Sequence, residues 1–184
     1  CDRVGGGLRW SVAVWAWYGG RRCPGGGEGS MSVEGFQDIM MEDFTGPAFR
    51  QVFSLYFKEL GIEVRDWDGL FREMNTDGRG NRAFLRMAGD QPVGFIQFCP
   101  MELASWFFTK RAGFVREFWV APAYRGQGHG RALLTLAEDW LRAQGLPLVL
   151  LTTDTAPEFY LRMGYRPDPG FQANNHDAVY RKEL

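Results

Sequence analysis

Apolar residues recur along the chain at two kinds of spacing, and each kind predicts a type of element. Spacings of three and four residues, typical of a helix with one buried face, predict helices over 47–60, 66–75 and 129–144. Short apolar or alternating runs predict strands over 35–42, 81–88, 92–99, 114–120, 146–153, 165–167 and 178–184. The dipeptide Gly89-Asp90 predicts a tight hairpin between the second and third strands.

The order of these elements predicts the fold class. Hairpins in the first half and alternation of strands with helices in the second half are typical of an α/β (α+β) protein, a mixed sheet with helices on both faces. Thr155 and Glu158 match a capping box, which predicts a short helix that starts after Thr155 and ends before Gly164. Residues 101–112 leave three interpretations open: the aromatic run 106–108 continues a strand, covers the core or lines a pocket.

A glycine-rich loop joins the strand over 114–120 to the helix that follows. Residues 125–130 read Arg-Gly-Gln-Gly-His-Gly, with glycine at alternate positions. Free N–H groups at a helix N-terminus, the helix dipole and the small size of glycine together favour an anion such as a phosphate. Two other phosphate-binding motifs fit residues 125–130 less well. The loop lacks the Gly-Lys-Ser/Thr of a P-loop, and the segment that follows does not match a dinucleotide-binding motif. The pattern predicts an anion site, with a purely structural turn as the alternative.

Composition restricts the class of protein. A chain of 184 residues that is 45% hydrophobic and 23% charged is typical of one soluble globular domain. The net charge of −1 gives no reason to expect nucleic acid as a partner. Cys1, Cys23 and Cys99 lack paired or metal-type spacing, so we predict neither a disulfide framework nor a metal site and favour a reducing cytoplasm. No apolar run reaches the ~20 residues of a membrane span, so no membrane partner is expected.

The first thirty residues differ from the rest. They contain nine of the 24 glycines and three of the seven tryptophans, and an ordinary amphipathic sequence begins at Met31. We therefore predict that residues 1–30 are a non-native or disordered N-terminal extension, with a flexible arm as the alternative. Residues 31–184 are then a single domain with 17 basic (21 − 4) and 20 acidic (22 − 2) residues, a net charge of −3.

Three segments, in this order, resemble the GNAT superfamily of acyl-CoA-dependent N-acyltransferases. Residues 117–124, Glu-Phe-Trp-Val-Ala-Pro-Ala-Tyr, are similar to that family's central strand and its end, and residues 125–130 fit its phosphate loop, Gln/Arg-x-x-Gly-x-Gly/Ala. Residues 156–165 are similar to its Ala-x-x-x-Tyr-x-x-x-Gly-Phe segment. The resemblance implies a mostly antiparallel sheet of six to seven strands with a splayed central strand pair, and acetyl-CoA as co-substrate.

The resemblance also implies which residues bind acetyl-CoA. In such proteins the pantetheine arm lies along the central strand and the pyrophosphate lies on the loop. Thr153 stands where many members have an asparagine that bonds to pantetheine, and a hydroxyl can make a smaller version of that contact. The expected cofactor-binding residues are Phe118, Trp119, Val120, Arg125, Gly126, Gln127, Gly128, His129, Gly130, Arg131, Thr153 and Phe159.

Two residues are expected to act in catalysis. An alkylamine has a pKa of about 10.4 and needs a base at neutral pH, a role for which Glu117 on the central strand is the candidate. Tyr160 matches the family's tyrosine beside the CoA sulfur and could protonate the leaving thiolate, while the N–H of Val120 could polarise the carbonyl. The alternatives are an ion pair between Glu117 and an arginine such as Arg116, and a core position for Tyr160.

The predicted function is transfer of an acetyl group from acetyl-CoA, in a ternary complex, to a primary amine of a small molecule or protein. We expect a cytoplasmic monomer or homodimer. The acceptor pocket is expected between the first two helices and the loop around 101–111, with Trp67, Trp106, Phe107 and Phe108 as wall candidates. Two alternatives stay open: a non-catalytic acyl-CoA-binding sensor or partner module, and a toxin-like acetyltransferase acting on aminoacyl-tRNA, against which the lack of a basic stripe counts.

Overall fold

A computed structural model of the protein describes residues 35–184. The expectations for residues 1–30 and for a start at Met31 lie outside the described residues. The helices are α1 (Pro47–Glu59), α2 (Trp67–Thr76), α3 (His129–Ala143) and α4 (Pro157–Arg162). The strands are β1 (Phe36–Met41), β2 (Arg82–Ala88), β3 (Gln91–Ala104), β4 (Thr109–Val120), β5 (Leu148–Thr153), β6 (Arg166–Pro167) and β7 (Ala178–Glu183).

The strands form one seven-stranded sheet in the order β1-β2-β3-β4-β5-β7-β6. Every neighbouring pair is antiparallel except β4 and β5, which are parallel and joined through α3. The predicted mixed, mostly antiparallel sheet is confirmed. In the described part of the chain, no helix is long and apolar enough to cross a bilayer.

Adjacent side chains of β4 pack into two different hydrophobic clusters, one on each face of the sheet, because successive residues of a strand point to opposite faces. Phe118 packs with the apolar stripe of α3 and with α4, in a cluster that includes Leu133 and Tyr160. Trp119 packs with α1, α2 and the opposite face of the sheet, in a cluster that includes Phe53. Helices therefore cover both faces, as the sequence predicts, and the apolar stripe of α1 is buried as expected.

The region 101–112 forms the end of a long hairpin. Strand β3 continues to Ala104 and β4 begins at Thr109, with their pairing unbroken from Pro100↔Gly113 to the tip. Trp106, Phe107 and Phe108 at the tip are 100%, 95% and 64% exposed. These three residues therefore cover no core, and their role as walls of an acceptor pocket stays a prediction. Trp67, the fourth expected wall residue, instead stacks on the buried ring of Phe71.

The N-terminus of α4 differs from the predicted capping box. Its N-cap is Ala156, one residue after Thr155, and no side chain caps the helix. The backbone N–H of Ala156 instead donates to Oγ1 of Thr153 over 3.2 Å. The capping-box prediction was wrong, because the chain turns through a hydroxyl at the end of β5 before the helix starts with Pro157 at its first position.

Candidate active site

Strands β4 and β5 separate after a short contact. They pair only at Gly113↔Val149 and Phe114↔Leu150, although β4 runs on to Val120 and β5 to Thr153. A wedge-shaped gap therefore opens between the carboxyl ends of two central strands. This geometry confirms the splayed central strand pair that the resemblance implies.

The backbone of β4 presents polar groups to this gap. The N–H of Ala121 bonds to the carbonyl of Val93 over 2.8 Å. In an antiparallel pair, alternate residues bond to the neighbouring strand, so the N–H and C=O groups of Phe118 and Val120 point away from β3. Consistent with this direction, the Val120 carbonyl accepts a 2.8 Å hydrogen bond from Nε of Arg125 in the loop beyond the strand.

The glycine-rich loop ends in an N-terminus of α3 that no side chain caps. Gly126 and Gly128 have φ of 75° and 88°, a left-handed conformation that other residues adopt only with strain. The first N–H groups of the helix, at His129, Gly130 and Arg131, have no partner within the helix by its geometry. With no acidic residue in the first turn, this end of α3 is suited to an anion.

Three of the expected cofactor-binding residues meet at one point. The rings of Phe118 on β4 and Phe159 on α4 have centroids 5.9 Å apart. A Cβ at Gly130 would lie 3.5 Å from Phe118 and 3.7 Å from Phe159, so glycine lets the first turn of α3 pack against both rings. The strand, the loop-helix junction and α4 therefore converge at the gap, although they are distant in sequence.

Other expected cofactor-binding side chains have structural partners. Nη2 of Arg125 lies 2.8 Å from both carboxylate oxygens of Glu59 on α1, and Glu59 also accepts a bond from Nε1 of Trp119. The Trp119 side chain thus lies on the α1 face, away from α3. Gln127 is exposed and donates to the Ala123 carbonyl, and Arg131 is exposed on the first turn of α3.

His129 is fixed by its ring while its backbone lies at the helix N-terminus. The ring is buried, 4.4 Å from that of Phe36, and its Nδ1 is 3.5 Å from Nη1 of Arg86. Arg86 in turn forms a buried, bidentate ion pair with Asp38. Burial and the Arg86 charge lower the pKa of His129, so the ring is neutral at physiological pH. This network ties β1 and β2 to the start of α3.

Glu117 is the buried carboxyl group of the site. It is 7% exposed, and its Oε2 accepts a 2.5 Å hydrogen bond from the hydroxyl of Tyr56 on α1. Burial raises the pKa of Glu117 from 4.5 to about 7, against the lowering effect of the Tyr56 bond and the Arg116 charge. A carboxyl group with a pKa near the working pH can both take up and release a proton.

A β-bulge in β4 directs Arg116 and Glu117 to different partners, so these two residues do not form the ion pair that was the alternative role for Glu117. The register shifts between Gln97↔Glu117 and Phe98↔Val115, so Arg116 is the extra residue of β4. Its guanidinium bonds to Asn81 and lies 3.2 Å from Asp77, on the turn after α2. Arg116 therefore has its own partners, and the hydrogen-bond partner of Glu117 is a tyrosine.

Tyr160 lies inside the protein beside the same gap. It is fully buried, and its hydroxyl has no hydrogen-bond partner among the described residues. Burial and the nearby carboxylate of Glu117 raise the pKa of Tyr160 well above its ordinary value of 10.0, so the phenol stays protonated. An unpartnered buried hydroxyl is costly, which indicates that another group bonds to it.

Two residues of this site were not identified from the sequence: Tyr56, and Gln97, which pairs with Glu117 next to the bulge. Tyr56 reads as one more aromatic of the buried stripe of α1, and Gln97 interrupts an apolar run on β3. One signal was available for Tyr56, since a buried tyrosine usually needs a partner for its hydroxyl. Within residues 35–184, no group of three or more His, Cys, Asp or Glu side chains is arranged to hold a metal ion.

Comparison with known proteins shows that most of the chain matches one protein family. Residues 36–165 match the model of the family described as "Acetyltransferase (GNAT) family". The match covers the strands from β1 to β5, the glycine-rich loop, the gap and α4, and ends before β6 and β7. It therefore includes every residue that the sequence analysis assigns to catalysis or cofactor binding.

Solved structures show the same fold at low sequence identity. An acetyltransferase from Thermus thermophilus is 21% identical with a TM-score of 0.61, over 84% of this chain and 100% of that one. One from Streptococcus agalactiae is 19% identical with a TM-score of 0.62, over 82% and 99% of the two chains. An aminoglycoside acetyltransferase from an uncultured soil metagenomic sample, solved with sisomicin, is 16% identical with a TM-score of 0.57, over 71% and 85%.

Proposed function

The chain belongs to the GNAT acetyltransferase family, and on that premise we propose that it transfers an acetyl group from acetyl-CoA directly to a primary amine. Both substrates are held together in a ternary complex, without a covalent acyl-enzyme. The observation that carries the proposal is the position of Glu117, a buried carboxyl group with a pKa of about 7 on the strand that borders the gap.

The gap between β4 and β5 is the place for acetyl-CoA. Its pyrophosphate would accept hydrogen bonds from the N–H groups at 129–131, where the uncapped N-terminus of α3 favours negative charge. Its pantetheine arm would lie along the outward-facing backbone groups of Phe118 and Val120. Since Arg125 already occupies the Val120 carbonyl, the N–H of Val120 is the group left to bond to the thioester oxygen.

Glu117 acts as the base in this proposal. The ionised carboxylate takes a proton from the ammonium form of the acceptor, directly or through water, and leaves the amine lone pair free to form the new C–N bond. As the C–N bond forms, negative charge develops on the carbonyl oxygen, and as the C–S bond breaks this charge moves to sulfur. The N–H of Val120 stabilises the first of these charges.

Tyr160 stabilises the second charge. Its hydroxyl stays protonated and unpartnered in a dry position, so it can donate a hydrogen bond to the developing thiolate. A free thiol has a pKa near 8.5, below that of this phenol, so complete proton transfer from Tyr160 is uphill. We therefore assign to Tyr160 a hydrogen bond to the leaving sulfur. The new amide nitrogen loses its second proton to water, and the thiolate takes up its proton from the same solvent.

The acceptor approaches from the face of the sheet that carries Glu117. On that face an open hollow of about 570 Å³ lies between the turn after α2 and residues 99–102 of the long hairpin. Phe114 lines it, and because of the bulge at Arg116 it lies opposite a β3 residue only two positions from the partner of Glu117, so roughly 7 Å from Glu117 along the sheet. Met101 and Arg111 also line the hollow, in the region where the sequence predicts the acceptor site.

Release of free CoA thiol with a panel of primary amines tests the proposal. Purified protein, acetyl-CoA and a thiol reagent are incubated with amino acids, peptides, polyamines and aminoglycosides. We expect amine-dependent thiol release for at least one acceptor class, reduced at least a hundredfold in Glu117→Gln at neutral pH. Saturable acetyl-CoA binding without turnover on any amine would instead indicate a sensor. We also propose that the reaction takes place in the cytoplasm, as the cysteine spacing of the sequence predicts.

A further inference from the structure

Gln97 is a buried amide whose two polar atoms lack partners. The side chain is 0% exposed, and neither Nε2 nor Oε1 has a hydrogen-bond partner among the described residues. An unsatisfied buried polar group costs about 1–3 kcal/mol. An amide kept at such a position requires a reason, and the neighbours of Gln97 supply one.

The register of the sheet places Gln97 directly beside the proposed base. On β3 it pairs with Glu117 of β4, at the last position before the bulge, and with Ala83 of β2 on the other side. Residues paired across antiparallel strands share a face and have Cβ atoms about 4.5–5.5 Å apart. Gln97 and Glu117 therefore lie on the α1 face within side-chain reach of each other, and Ala83 leaves the amide only a methyl group as its other cross-strand neighbour.

The groups that face Glu117 from other directions are few. Tyr56 on α1 donates to Oε2, Arg116 on the same strand contributes a positive charge, and Tyr160 on α4 adds an uncharged hydroxyl nearby. Arg116 is held by Asp77 and Asn81, so Tyr56 is the one hydrogen-bond donor to Glu117 that the described residues show. A carboxylate accepts several hydrogen bonds, so a second donor has room to act.

We propose that Gln97 is a positioning residue for Glu117, donating an amide hydrogen bond to the ionised carboxylate and holding it toward the gap between β4 and β5. The proposal rests on the assignment of Glu117 as the base. The terminal torsion of glutamine is broad and roughly two-fold, so rotation about it can turn Nε2 toward the carboxylate of the paired Glu117. A donor that bonds only to the charged form favours ionisation, so Gln97 opposes the effect of burial.

The test replaces Gln97 by Met, which has similar volume and no donor. We expect the acid limb of kcat/KM in Gln97→Met to move to higher pH by about one unit, and kcat above the limb to fall by roughly threefold to tenfold because the carboxylate is no longer held toward the gap. Ile96→Val is the matched control, since Ile96 is the next residue of β3 and packs on the opposite face with α3. Its acid limb should coincide with that of the wild type. An unmoved limb in Gln97→Met would overturn the proposal.

A direct titration separates this proposal from the proposed function. The ¹³C NMR signal of the Glu117 carboxyl carbon, Cδ, is assigned by its loss in Glu117→Gln. Its titration should give a pKa about one unit higher in Gln97→Met than in the wild type, whether or not any amine is acetylated. Equal titration curves would contradict the role of Gln97 even in an active enzyme. At about pH 5, where Glu117 is protonated and the amide has no charged partner, the Tm of Gln97→Met should be unchanged or raised. A large loss of Tm in both Gln97→Met and Gln97→Leu would show that the amide serves the fold, and would also overturn the proposal.

Discussion

The hydroxyl of Tyr56 donates a 2.5 Å hydrogen bond to Oε2 of Glu117, across 61 residues of sequence and inside the protein. The bond connects the buried stripe of α1 to the strand that borders the gap. Because it stabilises the charged form of the carboxyl group, it lowers a pKa that burial alone would raise further. The packing of α1 against β4 therefore helps to set the pH above which Glu117 is ionised and can act as a base.

Removal of this bond should shift the pH dependence of catalysis. In Tyr56→Phe, Glu117 loses its donor and its pKa rises, so we expect the acid limb of kcat/KM to move upward by about one unit. Above the new limb, kcat should return to near the wild-type value. Tyr180→Phe, a buried tyrosine on β7, is the control and should leave the limb in place. A Tyr56→Phe profile that coincides with the wild-type profile would show that the bond does not tune the base.

Glu117 should also make the stability of the protein depend on pH. Its folded pKa of about 7 lies above the ordinary value of 4.5, so folding is favoured when it is protonated. Its contribution is thus fully present below about pH 4.5 and is lost as the pH rises to 7. At pH 8 the free energy of unfolding of Glu117→Gln should exceed that of the wild type by up to the order of 3 kcal/mol.

Urea unfolding of both proteins at pH 4, 6 and 8 checks this sign. The free energy of unfolding of Glu117→Gln minus that of the wild type should increase from pH 4 to pH 8. The same difference at all three pH values would mean that the Glu117 carboxyl group titrates with its ordinary pKa.

Two glycines of the loop should respond differently to substitution by alanine. Gly128 has a φ of 88°, which costs a residue with a Cβ about 1–2 kcal/mol, so Gly128→Ala should destabilise by that amount. Gly130 lacks a positive φ, and its added Cβ would make only ordinary contacts with Phe118 and Phe159. Gly130→Ala should therefore change the free energy of unfolding by less than about 0.5 kcal/mol. Similar losses in both variants, measured by urea unfolding, would contradict this description of the loop.

The buried ion pair of Arg86 and Asp38 should be important for stability. Their side chains are 2% and 4% exposed, so Asp38→Asn leaves a buried guanidinium without its counter-charge and should cost about 3–5 kcal/mol. The exposed pair of Arg142 and Asp139 provides the control, and Asp139→Asn should change stability by less than about 1 kcal/mol. Thermal unfolding of the two variants compares them directly. Equal shifts in Tm would mean that burial adds nothing to the Arg86 pair.

Local patterns were sufficient to predict most of the fold. The stripe of α1, the Gly89-Asp90 hairpin and the apolar run of β5 each depend on spacing within one segment, and the structure has all three elements. The predicted boundaries of helices and strands agree within a few residues outside the long hairpin. The exposed tip at 106–108 was not predictable, because three consecutive aromatic residues usually indicate a core and not a turn.

The contacts that build the site are long-range, and sequence periodicity does not report them. Glu117 and Tyr160 were chosen by resemblance, and the structure brings both to the same gap. The bond from Tyr56, the register that pairs Gln97 with Glu117, and the tie between Arg125 and Glu59 all depend on how distant elements pack. The bulge at Arg116 decides which neighbour Glu117 meets, and a single extra residue in a strand leaves no signature in the sequence.

Binding of acetyl-CoA is the most direct test of the central claim that the gap between β4 and β5 holds this co-substrate. Thermal unfolding is followed while acetyl-CoA is raised to millimolar concentration, with the wild type beside Gly128→Ala. We predict a saturable rise of Tm in the wild type, equivalent to about 2.7 kcal/mol at a hundred times Kd, and a weaker response in Gly128→Ala. An unchanged Tm for the wild type at millimolar acetyl-CoA would contradict the account.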